Sequence, residues 1–191
     1  MSTFKGSRTE KNLLTAFAGE SQARNRYTFF AKQAKKEGFE QISAIFTRTA
    51  EQELAHAKRL FSSLQGGEVE VAACFPAGVI GSTAENLEAA AQGEEYEYNI
   101  MYPDFARIAR EESLEEIAAL FNAIAVAERQ HGKQYRDFLA NIQAERVFKR
   151  EQAQAWYCRH CGYVHQGGGP PAKCPACAHP TAYYELLAEN W

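Results

Sequence analysis

Two copies of the motif Glu-x-x-His constrain this chain of 191 residues more than any other feature. The first copy joins Glu53 to His56, and the second joins Glu128 to His131, 75 residues later (128 − 53 = 75). On an α-helix this spacing puts the carboxylate and the imidazole on one face. The duplicated motif therefore predicts two metal-binding helices of the kind that hold two ions inside a four-helix bundle.

A lone glutamate precedes each motif and follows nearly the same repeat. The two residues are Glu20 and Glu94, separated by 74 positions (94 − 20 = 74). The repeat is also seen in Gly19 with Gly93, Ile42 with Ile117, and Phe46 with Phe121. It predicts two similar halves related by a pseudo-twofold axis. The symmetry breaks at Glu97, whose counterpart is Ala23 (97 − 74 = 23), so only the second half has this extra carboxylate.

Apolar residues recur at helical spacing in four stretches, and the glutamates fall on the apolar face of each stretch. Capping boxes predict the starts of the first, third and fourth helices at Ser7 to Glu10, Ser82 to Glu85, and Ser113 to Glu116. The second helix is expected to begin just after Gly38 and to end at Gly66-Gly67. Pro103 lies within the third helix and predicts a kink or a local loosening there.

Short turns around Gly38 and Ser113 predict two antiparallel helical hairpins. The longer segment from Gly66 to Gly81 joins the hairpins and is long enough to cross along the bundle. The predicted fold is therefore all-α, a ferritin-like four-helix bundle with a long crossover between the second and third helices. Cys74, within the crossover, is expected to be a buried apolar residue.

Carboxylates on core-facing helix faces predict bound cations, because unpaired buried charges cost several kcal/mol each and repel one another. Two divalent ions would nearly neutralise the five carboxylates, and mixed carboxylate and imidazole ligands suit iron, manganese or zinc. We expect Glu53 and Glu128 to bridge two ions, and Glu97 and His56 to compete for one position. The expected terminal ligands are Glu20, Glu94 and His131.

Two tyrosines lie about two turns after the lone glutamates. Tyr27 follows Glu20 and Tyr102 follows Glu94. Their hydroxyls could hydrogen-bond to carboxylate ligands and so orient them. The alternative is that both are core aromatic residues with a polar tip. The sequence leaves both interpretations open.

The helical pattern changes near Arg146 and stops at Trp156. Two Cys-x-x-Cys pairs follow, consisting of Cys158, Cys161, Cys174 and Cys177. Four thiolates at this spacing indicate a tetrahedral metal centre, either a structural zinc or an iron that cycles by one electron. Because four thiolates complete a tetrahedron, the neighbouring histidines are expected to face solvent or make local hydrogen bonds; these are His160, His165 and His179. The predicted domains are residues 1–146 and 147–191.

Charge and hydropathy limit the remaining classes of function. The net charge of −3 gives no sign of nucleic-acid binding. No apolar run approaches the roughly 18 residues that a membrane helix needs. The first residues lack the apolar stretch of a signal peptide, so we expect a soluble, cytoplasmic protein.

These motifs together resemble the rubrerythrin family, and the similarity extends over essentially the whole chain. The segments that carry it best are GSRTEKNLLTAFAGESQARNRY, MYPDFARIAREE and WYCRHCGYVH. The resemblance implies a non-haem diiron peroxidase that reduces hydrogen peroxide to water and protects against oxidative stress. It implies electrons from NADH through separate carriers, such as rubredoxin or its reductase, and a homodimer in which the rubredoxin-like centre of one subunit lies near the diiron site of the other.

The resemblance also implies a role for each predicted ligand. The residues matching the family's diiron ligands are Glu20, Glu53, Glu94, Glu97, Glu128 and His131. The residue matching His56 replaces the one matching Glu97 on one iron upon reduction, which agrees with the broken symmetry at Glu97. The four cysteines would bind one further iron, for which zinc could substitute.

Two other functions remain open from the sequence. The first is a ferroxidase or iron-handling protein, although storage needs no reductant and so does not explain the cysteine-rich tail. The second is a non-catalytic binding protein with a structural zinc and a vestigial bundle site, which the complete ligand set argues against.

Overall fold

The computed structural model describes residues 4–190 and contains the two predicted hairpins. In the first hairpin, α1 packs along α2; in the second, α3 and α4 pack along α5. The helices are α1 (Arg8–Lys36), α2 (Glu40–Phe61), α3 (Thr83–Tyr96), α4 (Tyr102–Glu111) and α5 (Glu115–Gln143). The four predicted stretches are thus confirmed, and the third is divided into α3 and α4 by a π-helix, Glu97–Met101.

The π-helix confirms the loosening that was expected at Pro103. The backbone N–H of Tyr102 donates to the carbonyl of Glu97, five residues earlier, where an α-helix would bond four residues earlier. A π-helical turn therefore holds one extra residue. This explains why the internal repeat is 74 before the turn and 75 after it, as for Tyr27 and Tyr102 (102 − 27 = 75).

The capping predictions have mixed outcomes. Ser82 and Glu85 form a complete capping box at the start of α3. At the start of α1, Ser7 accepts from the N–H of Glu10, but the Glu10 carboxylate returns to the N–H of Gly6 rather than to Ser7. Both α1 and α3 therefore begin directly after the serine whose hydroxyl was predicted to cap the helix.

The predicted box at Ser113 is wrong. Helix α5 starts at Glu115 after Leu114, without a side-chain cap. Ser113 has φ of 61°, in the left-handed region, because it ends the tight turn from α4 and cannot also begin the next helix. The predicted end of α2 is also too late, since the helix stops at Phe61 rather than at the glycine pair.

The crossover between the hairpins, residues 62–82, has no helix or strand. Its aromatic residue Phe75 contacts α1 at Gly19, where a Cβ would lie 3.9 Å from the ring. Cys74 is exposed, so the prediction that it is buried is wrong. An irregular segment lying over the bundle has no apolar face that periodicity could reveal, which is why the sequence misled at this position.

The tail forms a three-stranded antiparallel sheet in the order β2-β1-β3. Its strands are β1 (Gln154–Cys158), β2 (Val164–Gly167) and β3 (Tyr184–Leu186). Trp156 is fully buried and donates from its indole N–H to the carbonyl of Gly167 at 2.9 Å. The tail meets the bundle at the start of α2, where Phe39 stacks on Phe148 with ring centroids 6.1 Å apart. Within residues 4–190, no helix has the length and apolar character to cross a membrane.

Candidate dimetal site and four-cysteine centre

Six of the seven predicted ligands of the bundle meet in its core, one or two from each of α1, α2, α3 and α5. Their burial is nearly complete, with exposed fractions of 0–2% for the four glutamates Glu20, Glu53, Glu94 and Glu128 and 6% for His131. The glutamates occupy the same helix faces as the surrounding apolar residues, as the periodicity predicted. Unpaired carboxylates at this depth would be strongly destabilising.

The side chains form two donor groups, in each of which the donor atoms lie within 4.8 Å of one another. The first group is Glu20, Glu53, His56 and Glu128, and the second is Glu53, Glu94, Glu128 and His131. Glu53 and Glu128 belong to both. This is the arrangement expected of two adjacent ions joined by two carboxylates, each ion having one further glutamate and one histidine.

The histidines sit directly against the shared carboxylates. His56 Nδ1 lies 2.9 Å from a Glu128 oxygen and 3.0 Å from a Glu53 oxygen. His131 Nδ1 lies 2.7 Å from Glu128 and 3.2 Å from Glu53. The two imidazole rings are 6.0 Å apart. The pseudo-twofold relation inferred from the repeat is therefore present in the contacts.

Without metal, the chain compensates these charges with protons. Burial raises the pKa of Glu94 to about 8 and raises that of Glu20 well above its usual range. Although burial disfavours its charged form, the carboxylates of Glu128 and Glu53 beside its Nδ1 raise the pKa of His131 to about 12. Burial opposes ionisation of Glu53 too, but its contacts with the two histidines lower its pKa to about 2. Protonated histidines thus occupy the position of cations.

Glu97 stands apart from both donor groups. It lies at the first position of the π-helix and is half-buried. Burial and the nearby carboxylates, Glu94 first among them, raise its pKa well above its usual range. Of the two residues predicted to compete for one metal position, His56 belongs to a donor group and Glu97 lies outside both groups.

The two predicted tyrosines hydrogen-bond to glutamates, and each reaches across to the opposite half. Tyr27, on α1, donates to Glu94 on α3, and Tyr102, on α4, donates to Glu20 on α1. Both tyrosines are buried. The core-aromatic interpretation alone is therefore insufficient, because each hydroxyl satisfies one oxygen of a lone glutamate and fixes its orientation.

Sequence reasoning missed a close approach between helices at Gly132. A Cβ at this position would lie 3.2 Å from Glu94 Cβ and 3.5 Å from a Tyr98 ring carbon. The missing side chain thus lets α5 lie against α3 beside His131. A glycine in the middle of a strongly periodic helix was the available signal, since glycine costs helix stability unless something requires it.

In the tail, the four cysteines converge as the spacing predicted. The sulfur atoms of Cys158 and Cys177 lie 3.8 Å apart, and those of Cys161 and Cys174 lie 3.6 Å apart. All four belong to one donor group. Cys161 is exposed at the edge of the group.

The nearby histidines lie outside this group. His160 stacks on His179 with ring centroids 3.6 Å apart, and His179 Nδ1 lies 3.2 Å from the carbonyl of Cys177. His165 is half-buried on β2.

Orphaned polar atoms test whether the bundle residues fit a metal. Among the described residues, one oxygen each of Glu20, Glu53 and Glu94, both oxygens of Glu128, and Nδ1 of His131 are buried without a hydrogen bond of acceptable geometry. Buried polar atoms are rarely left unpaired. These atoms lie in the two donor groups, so metal coordination would satisfy them.

Comparisons with known proteins agree with this geometry. The family model described as "Rubrerythrin" matches residues 11–139, and the model described as "Rubrerythrin, rubredoxin-like domain" matches residues 156–185. A rubrerythrin of Nitratidesulfovibrio vulgaris is 64% identical over 191 residues, covering 100% of both chains. A rubrerythrin of Porphyromonas gingivalis is 57% identical, covering 99% of this chain and 94% of its own.

Solved structures show the same architecture. A partially reduced nigerythrin is 34% identical with a TM-score of 0.64, covering 97% of this chain and 88% of its own. A bacterioferritin of Desulfovibrio desulfuricans is 20% identical with a TM-score of 0.64, covering 73% of this chain and 82% of its own, and supports the ferritin-like fold alone. The donor groups of the chain fit a diiron carboxylate site in the bundle and one iron bound by four cysteines in the tail.

Proposed function

Because the chain belongs to the rubrerythrin family, we propose that it is a non-haem diiron peroxidase that reduces hydrogen peroxide to water. The observation that carries the proposal is the pair of donor groups sharing Glu53 and Glu128, in one chain with a four-cysteine centre. The reaction consumes one H2O2, two electrons and two protons and gives two H2O. When bound, two ferrous ions supply the two electrons that cleavage of the O–O bond requires.

We propose that the ligands are those expected from the sequence, with Glu53 and Glu128 bridging. The donor groups support the terminal roles of Glu20, Glu94 and His131, as well as binding by His56. The cysteines Cys158, Cys161, Cys174 and Cys177 would hold the iron that resupplies electrons one at a time. The proposed boundary between residues 146 and 147 falls in the irregular segment between α5 and β1.

The residues around the site hold and orient its charged groups. Tyr27 and Tyr102 donate hydrogen bonds to one oxygen each of Glu94 and Glu20, and the other oxygen of each carboxylate, which has no hydrogen-bond partner, would bind the metal. Near-complete burial of the glutamates excludes bulk water from them. Each tyrosine hydroxyl also holds its proton on a carboxylate oxygen inside the site.

We further propose that Glu97 and His56 exchange as ligands with the redox state. An anionic carboxylate suits the higher charge of ferric iron, and a neutral imidazole suits ferrous iron. Two observations support the exchange. Glu97 is an extra carboxylate that the first half lacks, and it lies just outside the donor groups at a π-helical turn. The variant Glu97→Ala is expected to lose turnover while keeping its fold and metals; unchanged peroxidase rates with metals bound would contradict the exchange.

Electron supply favours a homodimer. Within one chain, the tail meets the bundle near Gly38, where a Cβ would lie 3.7 Å from Ala182. From there to Glu53, α2 runs about 20 Å at about 1.5 Å per residue. Electron tunnelling falls steeply with distance, so a second subunit whose four-cysteine iron lies nearer the diiron site would refill it faster. We propose rubredoxin or its reductase as external donor, and a cytoplasmic location.

The experiment that tests the function is stopped-flow mixing of the fully reduced protein with peroxide and, separately, with dioxygen. A peroxidase oxidises the bundle iron and then the cysteine-bound iron much faster with peroxide. Faster oxidation by dioxygen, with ferric iron accumulating from added Fe(II), would instead indicate a ferroxidase.

A further inference from the structure

The two hairpins are joined at their ends by a pair of reciprocal carboxylate contacts. Glu112, just after α4, accepts hydrogen bonds from the backbone N–H groups of Arg8 and Thr9 at 3.1 and 2.9 Å and from the Thr9 hydroxyl at 2.6 Å. Glu37, just after α1, accepts from the backbone N–H of Thr83 at 2.9 Å. Each carboxylate therefore ends one helix and caps the first turn of a helix in the other half.

These contacts follow the internal repeat. Glu37 and Glu112 are 75 positions apart (112 − 37 = 75) and their partners Thr9 and Thr83 are 74 apart (83 − 9 = 74), the offsets that the repeat has after and before the π-helical turn. The local serine caps satisfy a different N–H in each case, namely those of the residues two positions after these helix starts. The first N–H groups of α1 and α3 consequently depend on the opposite hairpin. Such groups carry partial positive charge and favour a carboxylate partner.

Both carboxylates are ionised, and hydrogen bonds fix their positions. Burial alone would raise the pKa of Glu112, but its hydrogen bonds with Thr9 and Arg8 lower it below the usual range. The same balance, with hydrogen bonds from Thr83 and Gln33, lowers the pKa of Glu37. The exposed fraction of the Glu112 side chain is 15%, whereas that of the adjacent Glu111, which pairs with the side chains of Arg8 and Arg107 and caps no backbone N–H, is 44%.

The dimetal site is sensitive to how the hairpins are aligned. The first donor group takes three residues from the first hairpin and Glu128 from the second. The second group takes three residues from the second hairpin and Glu53 from the first. A shift of one hairpin along the other would therefore move both shared carboxylates with respect to their remaining partners.

We propose that Glu37 and Glu112 are positioning residues for the dimetal site: together they fix the register of the two hairpins and thereby the spacing of the two metal positions. The inference rests on the dimetal site of the proposed function. The two added residues lie far from that site: along the chain, Glu37 is 17 residues from Glu20 (37 − 20 = 17) and Glu112 is 15 residues from Glu97 (112 − 97 = 15).

The test is a Co(II) titration of the metal-free full-length chain, followed by visible absorption. Cobalt bound by four thiolates has intense charge-transfer bands, which separate it from the weak bands of carboxylate and imidazole sites. In Glu112→Ala and in Glu37→Ala, we expect the affinity for the second bundle ion to fall about tenfold, equivalent to about 1.4 kcal/mol. The thiolate bands should titrate as in the wild type.

The matched control is Glu111→Ala, which removes the neighbouring carboxylate but leaves the N–H groups of α1 capped. It should bind cobalt with wild-type affinity. If an alanine variant does not fold by far-UV circular dichroism, Glu112→Gln keeps the shape and an acceptor oxygen while removing the charge, and should show a smaller loss of affinity than tenfold.

The outcomes are separable. Folded Glu112→Ala and Glu37→Ala variants that bind two cobalt ions with wild-type affinity would overturn the inference, because loss of a purely stabilising contact lowers the free energy of unfolding without changing metal affinity. An equal loss in Glu111→Ala would overturn it too. A wild-type bundle that takes up no pair of cobalt ions would instead refute the dimetal site itself.

Discussion

Replacing Glu94 by glutamine should change the stability of the metal-free and metal-loaded protein in opposite directions. Glu94 is 1% exposed, and burial raises its pKa from 4.5 to about 8. In the metal-free protein at pH 7 the folded state holds a proton on Glu94 that the unfolded state has lost. Each pH unit between 4.5 and 7 costs about 1.4 kcal/mol, so this carboxyl destabilises the metal-free fold by about 3 kcal/mol.

The sign of the pH dependence follows from the same shift. Because the folded pKa lies above the unfolded pKa, the folded state binds more protons between pH 4.5 and 8, and the stability contributed by Glu94 is lost as pH rises through that interval. The variant Glu94→Gln removes this loss but weakens the contact with Tyr27, which costs about 1 kcal/mol. The net gain is about 2 kcal/mol, or a Tm rise of about 4–8 °C.

The metal-loaded protein should respond in the opposite sense, because a neutral amide is a poor replacement for a carboxylate ligand. We expect a lower Tm for metal-loaded Glu94→Gln than for the metal-loaded wild type. Differential scanning calorimetry from pH 5 to 8, with and without metal, measures both effects, and Glu115→Gln, at an exposed site, serves as control. A metal-free variant less stable than the wild type, or a metal-loaded variant of equal stability, would refute the reasoning.

Three further predictions follow from single contacts. Gly132→Ala should lower the free energy of unfolding by about 1–3 kcal/mol in urea titrations, because the added Cβ would lie 3.2 Å from Glu94 Cβ. The control Gly93→Ala has open space around the added methyl and should raise the free energy of unfolding by up to about 1 kcal/mol. Equal effects of the two substitutions would contradict the packing argument. Tyr102→Phe should cost about 1–3 kcal/mol because it leaves a buried oxygen of Glu20 without its donor, and a neutral effect in urea would show that this oxygen has another partner. Cys161→Ser should abolish the red thiolate-to-iron absorption of the tail. Peroxide should still oxidise the reduced bundle iron of this variant in a single turnover. Retention of the red colour would exclude Cys161 as a ligand.

Much of the fold could be predicted because each relevant signal is local. Helical spacing of apolar residues gave the core faces, and the same spacing put glutamates on those faces. The Cys-x-x-Cys pairs likewise carry their own geometry within a few residues. Pro103 marked the disturbed turn because it lacks a backbone N–H, although the pattern could not distinguish a kink from a π-helix.

The features that sequence reasoning missed depend either on the geometry of a turn or on contacts between distant segments. Ser113 looks like a helix cap, but the tight turn from α4 puts its backbone in a left-handed conformation. Nothing local shows that Tyr27 and Tyr102 cross over to the glutamate of the other half, or that Glu37 and Glu112 cap helices there. Such partners become visible only when the hairpins are packed together.

The role assigned to the buried carboxylates is to hold two adjacent ions. Anomalous X-ray diffraction at the iron edge, on crystals of protein reconstituted with iron, tests it most directly. Two peaks are expected in the bundle, about 3.5–4 Å apart and flanked by Glu53 and Glu128, and a third is expected among the four cysteines. Glutamates that remain buried with no iron between them would contradict it.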